Sequence, residues 1–181
     1  MMDILAKPAA RIALAATLLT VMLGWMVVDR LSLLRSGREI TLKIIPVDPR
    51  DLFKGDYVRL GYDISRVDKS KVEGPELQRG ERVFVTLEQA DQTAPWMIAK
   101  VSRTRPATVA ANQIVLTAKG SYNQLTYGLE RYYLPEGTGI AMEDKARKGV
   151  ISAIVAVNAR GQSAIKGLII DGKTIYEEPL L

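Results

Sequence analysis

Six carboxylates in two segments of the chain could carry chemistry, and they are Asp48, Asp51, Asp56, Asp63, Glu130 and Glu136. Two carboxylates held about 5 to 9 Å apart can hydrolyse a glycosidic bond. A larger group of carboxylates can hold Ca²⁺ through its oxygens. Nearby basic residues such as Arg50 and Lys54 can instead neutralise the acids as ion pairs. The spacing does not choose between these possibilities, and the sequence contains no EF-hand pattern, so we predict no catalytic residue, metal or cofactor.

A serine–lysine pair is the second possible source of catalysis. Some membrane-anchored hydrolases use a serine nucleophile with a lysine base, and Ser36 lies close in sequence to Lys43 and Lys54. A lysine acts as a base at neutral pH only when burial lowers its pKa. Lys43 lies in an alternating strand pattern and Lys54 in a polar turn. Neither position indicates burial, so the chain is more consistent with a non-enzyme.

The composition removes several other functional classes. The 181 residues include no cysteine and no histidine, which excludes thiol nucleophiles, disulfides and imidazole-based triads. The net charge of +5 comes from scattered basic residues, so we expect no nucleic acid partner. The apolar fraction of 48% and the charged fraction of 25% are ordinary for a folded domain.

Tyrosines are concentrated in one short segment, at Tyr122, Tyr127, Tyr132 and Tyr133. Tyr57 and Tyr62 would join them if the two parts of the chain pack together. Tyrosine combines rigid apolar area with a polar hydroxyl, which suits recognition of a protein or a sugar polymer. The alternative is core packing with each hydroxyl bonded to a backbone carbonyl. Both readings remain open at the level of sequence.

The N-terminal region predicts a membrane anchor. Residues 12–28 contain no charge, and at about 1.5 Å per residue they form roughly 25 Å of helix. Residues 12–34 are therefore predicted to be a transmembrane signal-anchor after a short tail at 1–11. A buried core helix is one alternative. A cleaved signal peptide is the other, but the residues after the apolar run are bulky and charged rather than small.

The orientation of this anchor rests on a weak signal. Positive charges are nearly balanced on the two sides of the apolar run, so charge counting gives almost a tie. The short tail favours a cytoplasmic N-terminus. We therefore predict a single-pass protein of the bacterial inner (cytoplasmic) membrane with a periplasmic C-terminal domain.

After the anchor the apolar pattern changes to a period of two. Seven or eight short alternating segments separated by turn residues predict an all-β domain over residues 38–181, mainly an antiparallel barrel or sandwich. The tetrapeptide "NARG" between two apolar runs predicts a hairpin. One short helix is predicted within "GTGIAMEDKARKG", residues 137–149. No linker divides residues 38–181 into two domains.

The segment "PVDPRDLFKGDYVRLGYDIS" predicts a tight corner that leads into a strand. Prolines at 46 and 49 cannot lie in a central ladder. Asp48 is suited to start a turn, and Gly55 to adopt a left-handed conformation. A corner of this kind needs aspartate and glycine for backbone reasons alone. We therefore expect it to be chiefly structural.

This segment also resembles the signature of the GDYXXLXY family of bacterial proteins. The residues at the named positions are Gly55, Asp56, Tyr57, Leu60 and Tyr62, and the lead-in is Asp48, Pro49, Arg50 and Asp51. A second block, "YGLERYYLPEGTG", resembles another recurring segment of the family, through Tyr127, Gly128, Glu130, Tyr132, Tyr133, Pro135, Glu136 and Gly137. The resemblance covers most of residues 38–172. It implies a membrane-anchored domain that accompanies a multi-pass membrane protein, and it defines no reaction.

The sequence as a whole favours an accessory or assembly subunit anchored by one helix in the lipid bilayer. Its β domain would bind a partner, an integral membrane protein. The motif residues would then be structural or partner-binding. The alternative is an envelope hydrolase or carbohydrate-binding module that uses the clustered carboxylates and tyrosines. A polar cleft with a buried acid would favour the alternative, and a broad exposed patch would favour the subunit.

Overall fold

The computed structural model describes residues 8–45, 57–133, 151–170 and 172–177. One long helix, α1 (Pro8–Ser36), precedes eleven strands. The strands are β1 (Arg38–Ile45), β2 (Tyr57–Arg59), β3 (Gly61–Tyr62), β4 (Leu77–Glu88), β5 (Met97–Ser102), β6 (Gln113–Tyr122), β7 (Gln124–Thr126), β8 (Arg131–Tyr133), β9 (Ile151–Val157), β10 (Ser163–Ile170) and β11 (Lys173–Glu177). Short 3₁₀ turns occupy Asp63–Ser65 and Lys69–Lys71.

Every strand pairing within these ranges is antiparallel. Sheet I has the order β11-β10-β9-β1-β3, and sheet II has the order β5-β4-β6-β7. A two-stranded ribbon pairs β2 with β8. The mostly β fold with one long N-terminal helix confirms the fold predicted from the alternating pattern. The predicted "NARG" hairpin is also confirmed, since it joins β9 to β10.

The main core of the described residues lies between the two sheets. Strand β1 alternates between exposed and buried side chains, and it buries Ile40, Leu42 and Ile44. Strand β4 contributes Val83, Val85 and Leu87 from the facing sheet, all fully buried. A strand directs alternate side chains to opposite faces, so the period-two pattern in the sequence specifies which residues meet in this core.

Two segments that look like continuous strands in the sequence are broken in the structure. The run from Tyr57 to Ile64 pairs first with β8 and then, after Leu60, with β1, before ending in a 3₁₀ turn. The later tyrosine-rich run pairs first with β6 as β7 and then with β2 as β8. Gly128, at a φ of +79°, lies between these two strands. The predicted short helix at 137–149 lies outside the described residues.

Helix α1 is exposed over most of its length, and its contacts with the described part of the β domain lie near its C-terminal end. Leu33 and Leu34 are its buried residues, and they pack with Ala164 of β10 on the outer face of sheet I. Gly37 follows the helix directly. A Cβ atom at this position would lie 2.6 Å from the carbonyl oxygen of Leu33 and 3.0 Å from the backbone nitrogen of Val157. The glycine therefore permits the helix to meet the sheet without a linker.

Arg38 connects this junction to sheet II. Its guanidinium donates hydrogen bonds of 2.9 Å to the carbonyl oxygen of Gln113 and 3.0 Å to that of Ala111. It also lies over the ring of Trp96, 5.5 Å from the centroid. A planar guanidinium can make these contacts together. Arg38, the first residue of β1 in sheet I, thus links the end of the helix to sheet II.

Candidate functional site

The two motif blocks of the sequence pair directly with each other. In the ribbon, Val58 of β2 lies opposite Tyr132 of β8, and Arg59 lies opposite Arg131. The pairing continues beyond the ribbon, because the backbone N–H of Leu60 donates a 2.9 Å hydrogen bond to the carbonyl oxygen of Glu130. We call residues 57–64 and 127–133 together the motif junction.

Two tyrosines join the blocks in both directions. The Tyr62 hydroxyl in the first block donates a 2.9 Å hydrogen bond to the carbonyl oxygen of Leu129 in the second. The Tyr127 hydroxyl in the second block donates a 2.7 Å bond to the carbonyl oxygen of Ile64 in the first. Both rings are buried. Each side chain therefore satisfies a backbone acceptor of the opposite segment while it packs in the core.

Glu130 holds the turn between β7 and β8. One carboxylate oxygen accepts a 2.6 Å hydrogen bond from the backbone N–H of Tyr127, and the other accepts a 2.9 Å bond from that of Gly128. Backbone N–H groups in a turn have no partner on a neighbouring strand, and a carboxylate that accepts two of their hydrogen bonds replaces the missing partners. Glu130 therefore has a local structural role in this arrangement.

The electrostatics of the junction keep the phenols of Tyr62 and Tyr127 neutral. Burial raises the pKa of Tyr62 and of Tyr127 well above the ordinary tyrosine value, and the negative charge of Glu130 raises both further. At neutral pH both hydroxyls are therefore hydrogen-bond donors. A tyrosine in this state cannot serve as a general base.

The other residues considered for catalysis do not come together in the described ranges. The Ser36 hydroxyl donates a 2.6 Å hydrogen bond to the carbonyl oxygen of Ser32 at the end of α1. Lys43 is exposed on β1, and Asp63 is exposed after β3. Among the described residues there is no group of three or more Asp and Glu that could hold a metal ion.

Several predicted motif positions lie outside the described residues. They are Asp48, Pro49, Arg50, Asp51, Lys54, Gly55, Asp56, Pro135, Glu136 and Gly137. The prediction that the Asp48–Asp56 corner is structural therefore stays a prediction. Tyr57 and Tyr133 are described as backbone partners in the ribbon.

Tyr122 differs from the tyrosines of the junction. Its side chain is 70% exposed, whereas those of Tyr62, Tyr127 and Tyr132 are buried. Its φ of +52° makes it the one described residue other than glycine with positive φ. A bulky residue rarely adopts this conformation, and an observed outlier of this kind is a reason to consider a function.

Two features of the junction could not be found from residue types. The acceptors at Ile64 and Leu129 are main-chain carbonyls, which leave no mark on the sequence. The strand pairing that brings Tyr62 to Leu129 also depends on the break at Leu60. The clustered tyrosines are a sequence signal for this junction, but they are consistent with both binding and core packing.

Comparison with protein families finds a match that covers both blocks of the junction. The sequence model described as GDYXXLXY protein matches residues 19–168, which include the end of the apolar helix and both halves of the junction. Searches of the curated proteins and of the solved structures find no match. The family match spans well over half of the chain, and this protein therefore belongs to the GDYXXLXY family.

Proposed function

We propose that this protein is a single-pass accessory or assembly subunit whose β domain binds an integral membrane protein. The observation that carries the proposal is the exposed apolar helix joined to a folded domain. By length and composition α1 could cross a bilayer, and its most apolar window has no buried residue. At about 1.5 Å per residue its 29 residues measure about 43 Å, enough for the hydrocarbon core and part of the interface.

The contact between helix and domain supports an anchor that stays attached. Leu33 and Leu34 are buried against sheet I, so cleavage before them would leave a short apolar segment on the domain and cleavage after them would uncover Ala164. Asp29 and Arg160 form an ion pair that joins α1 to the tip of the β9–β10 hairpin. In this arrangement the hairpin tip lies beside the residues where α1 would leave the membrane.

The described side chains support binding more than catalysis. The hydroxyls of Tyr62 and Tyr127 and the Glu130 carboxylate are occupied by backbone groups. Tyr122 is an exposed aromatic residue of the β domain, and it is held in a strained conformation. We infer that Tyr122 contributes to the partner-binding surface, because a Gly at this turn would remove the strain. We further propose that the domain lies on the periplasmic side of the bacterial inner membrane.

The test is purification of the intact protein from membranes in mild detergent. We expect it to resist carbonate extraction and to bring one integral membrane protein with it. Tyr122→Gly should reduce the amount of that partner several-fold. Val109→Gly is the matched control, because Val109 is also an exposed apolar loop residue, and it should retain the partner. Release of the protein by carbonate would contradict the anchor, and equal partner recovery in both variants would contradict the role of Tyr122.

A further inference from the structure

A cleft of about 710 Å³ lies between the C-terminal part of α1 and one end of sheet II. The helix contributes Met26, Arg30 and Leu33 to its lining, and the sheet contributes Arg82 and Lys119. The cleft therefore combines apolar side chains with three cations. These residues are far apart in the sequence, and the β4–β6 register brings Arg82 and Lys119 together.

Among the described residues, Arg30, Arg82 and Lys119 of the cleft form no ion pair. Arg82 and Lys119 lie directly opposite each other on neighbouring strands and are exposed. Like charges in this arrangement destabilise a sheet. Asp29, the acidic residue of the lining, pairs with Arg160. A bound anion in the cleft would offset the electrostatic repulsion between Arg82 and Lys119.

The position of the cleft points to the source of the anion. Val27 and Val28 of α1, beside the cleft, are exposed and apolar. If α1 spans a bilayer as proposed above, these residues end the hydrocarbon-facing part and Arg30 follows at the polar interface. A ligand with an anionic head and an apolar tail could place its head near Arg82 and Lys119 and its tail along Met26.

We propose that this cleft binds the phosphate headgroup of an anionic phospholipid from the leaflet on the domain's side. The inference rests on the proposed membrane anchor. Lysine and arginine bind phosphate oxygens through charge-assisted hydrogen bonds, and cationic side chains near a membrane surface favour anionic lipids. The partly apolar lining and the place beside α1 favour a lipid over a free phosphate ion.

The experiment uses the intact protein in micelles of a neutral detergent. Phosphatidylglycerol and phosphatidylcholine are titrated in separately, and bound lipid is counted by native mass spectrometry. Wild type should bind phosphatidylglycerol preferentially. The double variant Arg82→Gln/Lys119→Gln should lose about 30-fold in affinity for it, since each cation near an anionic surface is worth about fivefold. Its binding of phosphatidylcholine should not change.

A matched control removes the same charge elsewhere. Lys43→Gln/Lys173→Gln takes two exposed lysines from sheet I, away from the cleft lining, and it should keep the preference for phosphatidylglycerol. Wild type should also unfold at a higher temperature with phosphatidylglycerol than with phosphatidylcholine. The cleft variant should not show this difference. If the double variant fails to fold, Arg30→Gln provides the same comparison and should lose about fivefold.

Two results would overturn the proposal. Equal affinity of wild type for the two lipids would show that the cleft does not select an anion. Displacement of the lipid by inorganic phosphate at an equal concentration would show a site for the free ion instead. These measurements need no protein partner, so they are independent of partner recovery. Carbonate extraction of the cleft variant reports on the anchor separately.

Discussion

The hydroxyl of Tyr62 lies 2.9 Å from the carbonyl oxygen of Leu129 and donates a hydrogen bond to it across 67 positions of sequence. Tyr127 makes the reverse connection to Ile64. The two motif blocks are therefore one structural unit, in which each block satisfies a backbone acceptor of the other. The spacing of Leu60 and Tyr62 in the first block fits this geometry, since both side chains are buried in the core.

Removal of one hydroxyl should weaken this unit measurably. Tyr62→Phe keeps the ring but leaves the buried carbonyl of Leu129 without its donor, and we expect a loss of about 1 to 2 kcal/mol in the free energy of unfolding. Urea denaturation followed by tryptophan fluorescence measures it. Tyr122→Phe is the control and should change stability by less than about 0.5 kcal/mol, because its side chain is exposed. Equal losses in the two variants would contradict the assignment.

The same tyrosines predict how stability depends on alkaline pH. Burial raises the pKa of Tyr62 and Tyr127 in the folded protein. Above the ordinary tyrosine pKa of about 10 the unfolded chain loses these protons while the folded protein keeps them. Their contribution is therefore complete below about pH 10. It falls as pH rises further, by up to about 1.4 kcal/mol per pH unit for each tyrosine.

The measurement is urea denaturation at several pH values between about 9 and 11.5, a range that spans the ordinary tyrosine pKa. Tyr62→Phe should show a shallower alkaline decline than wild type, because phenylalanine does not ionise. A Tyr62→Phe slope identical to that of wild type would show that this phenol ionises alike in both states.

Gly37 should be intolerant of even one added carbon. In Gly37→Ala the new methyl group would approach two backbone atoms and the Cβ atom of Ala156, which lies 3.1 Å away. We expect a loss of about 1 to 3 kcal/mol, together with faster proteolysis at the end of α1. Gly24→Ala is the control, because nothing lies within 4 Å of its added Cβ atom. It should leave both properties unchanged or slightly improved.

Replacing Tyr122 by glycine should raise the stability of the domain and weaken partner binding. Tyr122→Gly relieves a positive φ of 52° at a turn, and we expect thermal unfolding to move upward by the equivalent of about 0.5 to 1 kcal/mol. The same variant should recover less partner, as set out above. A variant that is both less stable and fully able to bind would show that the side chain has a packing role instead.

The corner before β2 can be tested by two substitutions at one position. If Asp56 accepts backbone hydrogen bonds, Asp56→Asn should destabilise the domain less than Asp56→Ala, because the amide oxygen remains an acceptor. Thermal unfolding and partner recovery are measured for both variants. An Asn variant with wild-type stability and no partner binding would identify the corner as a functional site.

The sequence predicted those parts of the fold that depend on local pattern. The burial of Ile40, Leu42 and Ile44 and of Val83, Val85 and Leu87 follows from alternation alone. The sequence alone does not predict that the run from Tyr57 to Ile64 changes its pairing partner from β8 to β1 at Leu60. Both halves of that run have the same alternation of apolar and polar residues. The sequence also does not predict that Arg82 lies directly opposite Lys119, since the register of two strands depends on the packing of whole sheets.

Gly37 is the single residue between α1 and β1, and so short a connection couples the orientation of the β domain to that of the helix. A domain on a flexible tether samples many orientations, whereas one joined by a single residue and a packed leucine pair turns with its helix. Membrane helices tilt by about 20° on average. In the proposed membrane setting, a partner that changes the tilt of α1 would therefore rotate the β domain with it. A partner that binds the domain and fixes its orientation would likewise fix the tilt of the helix.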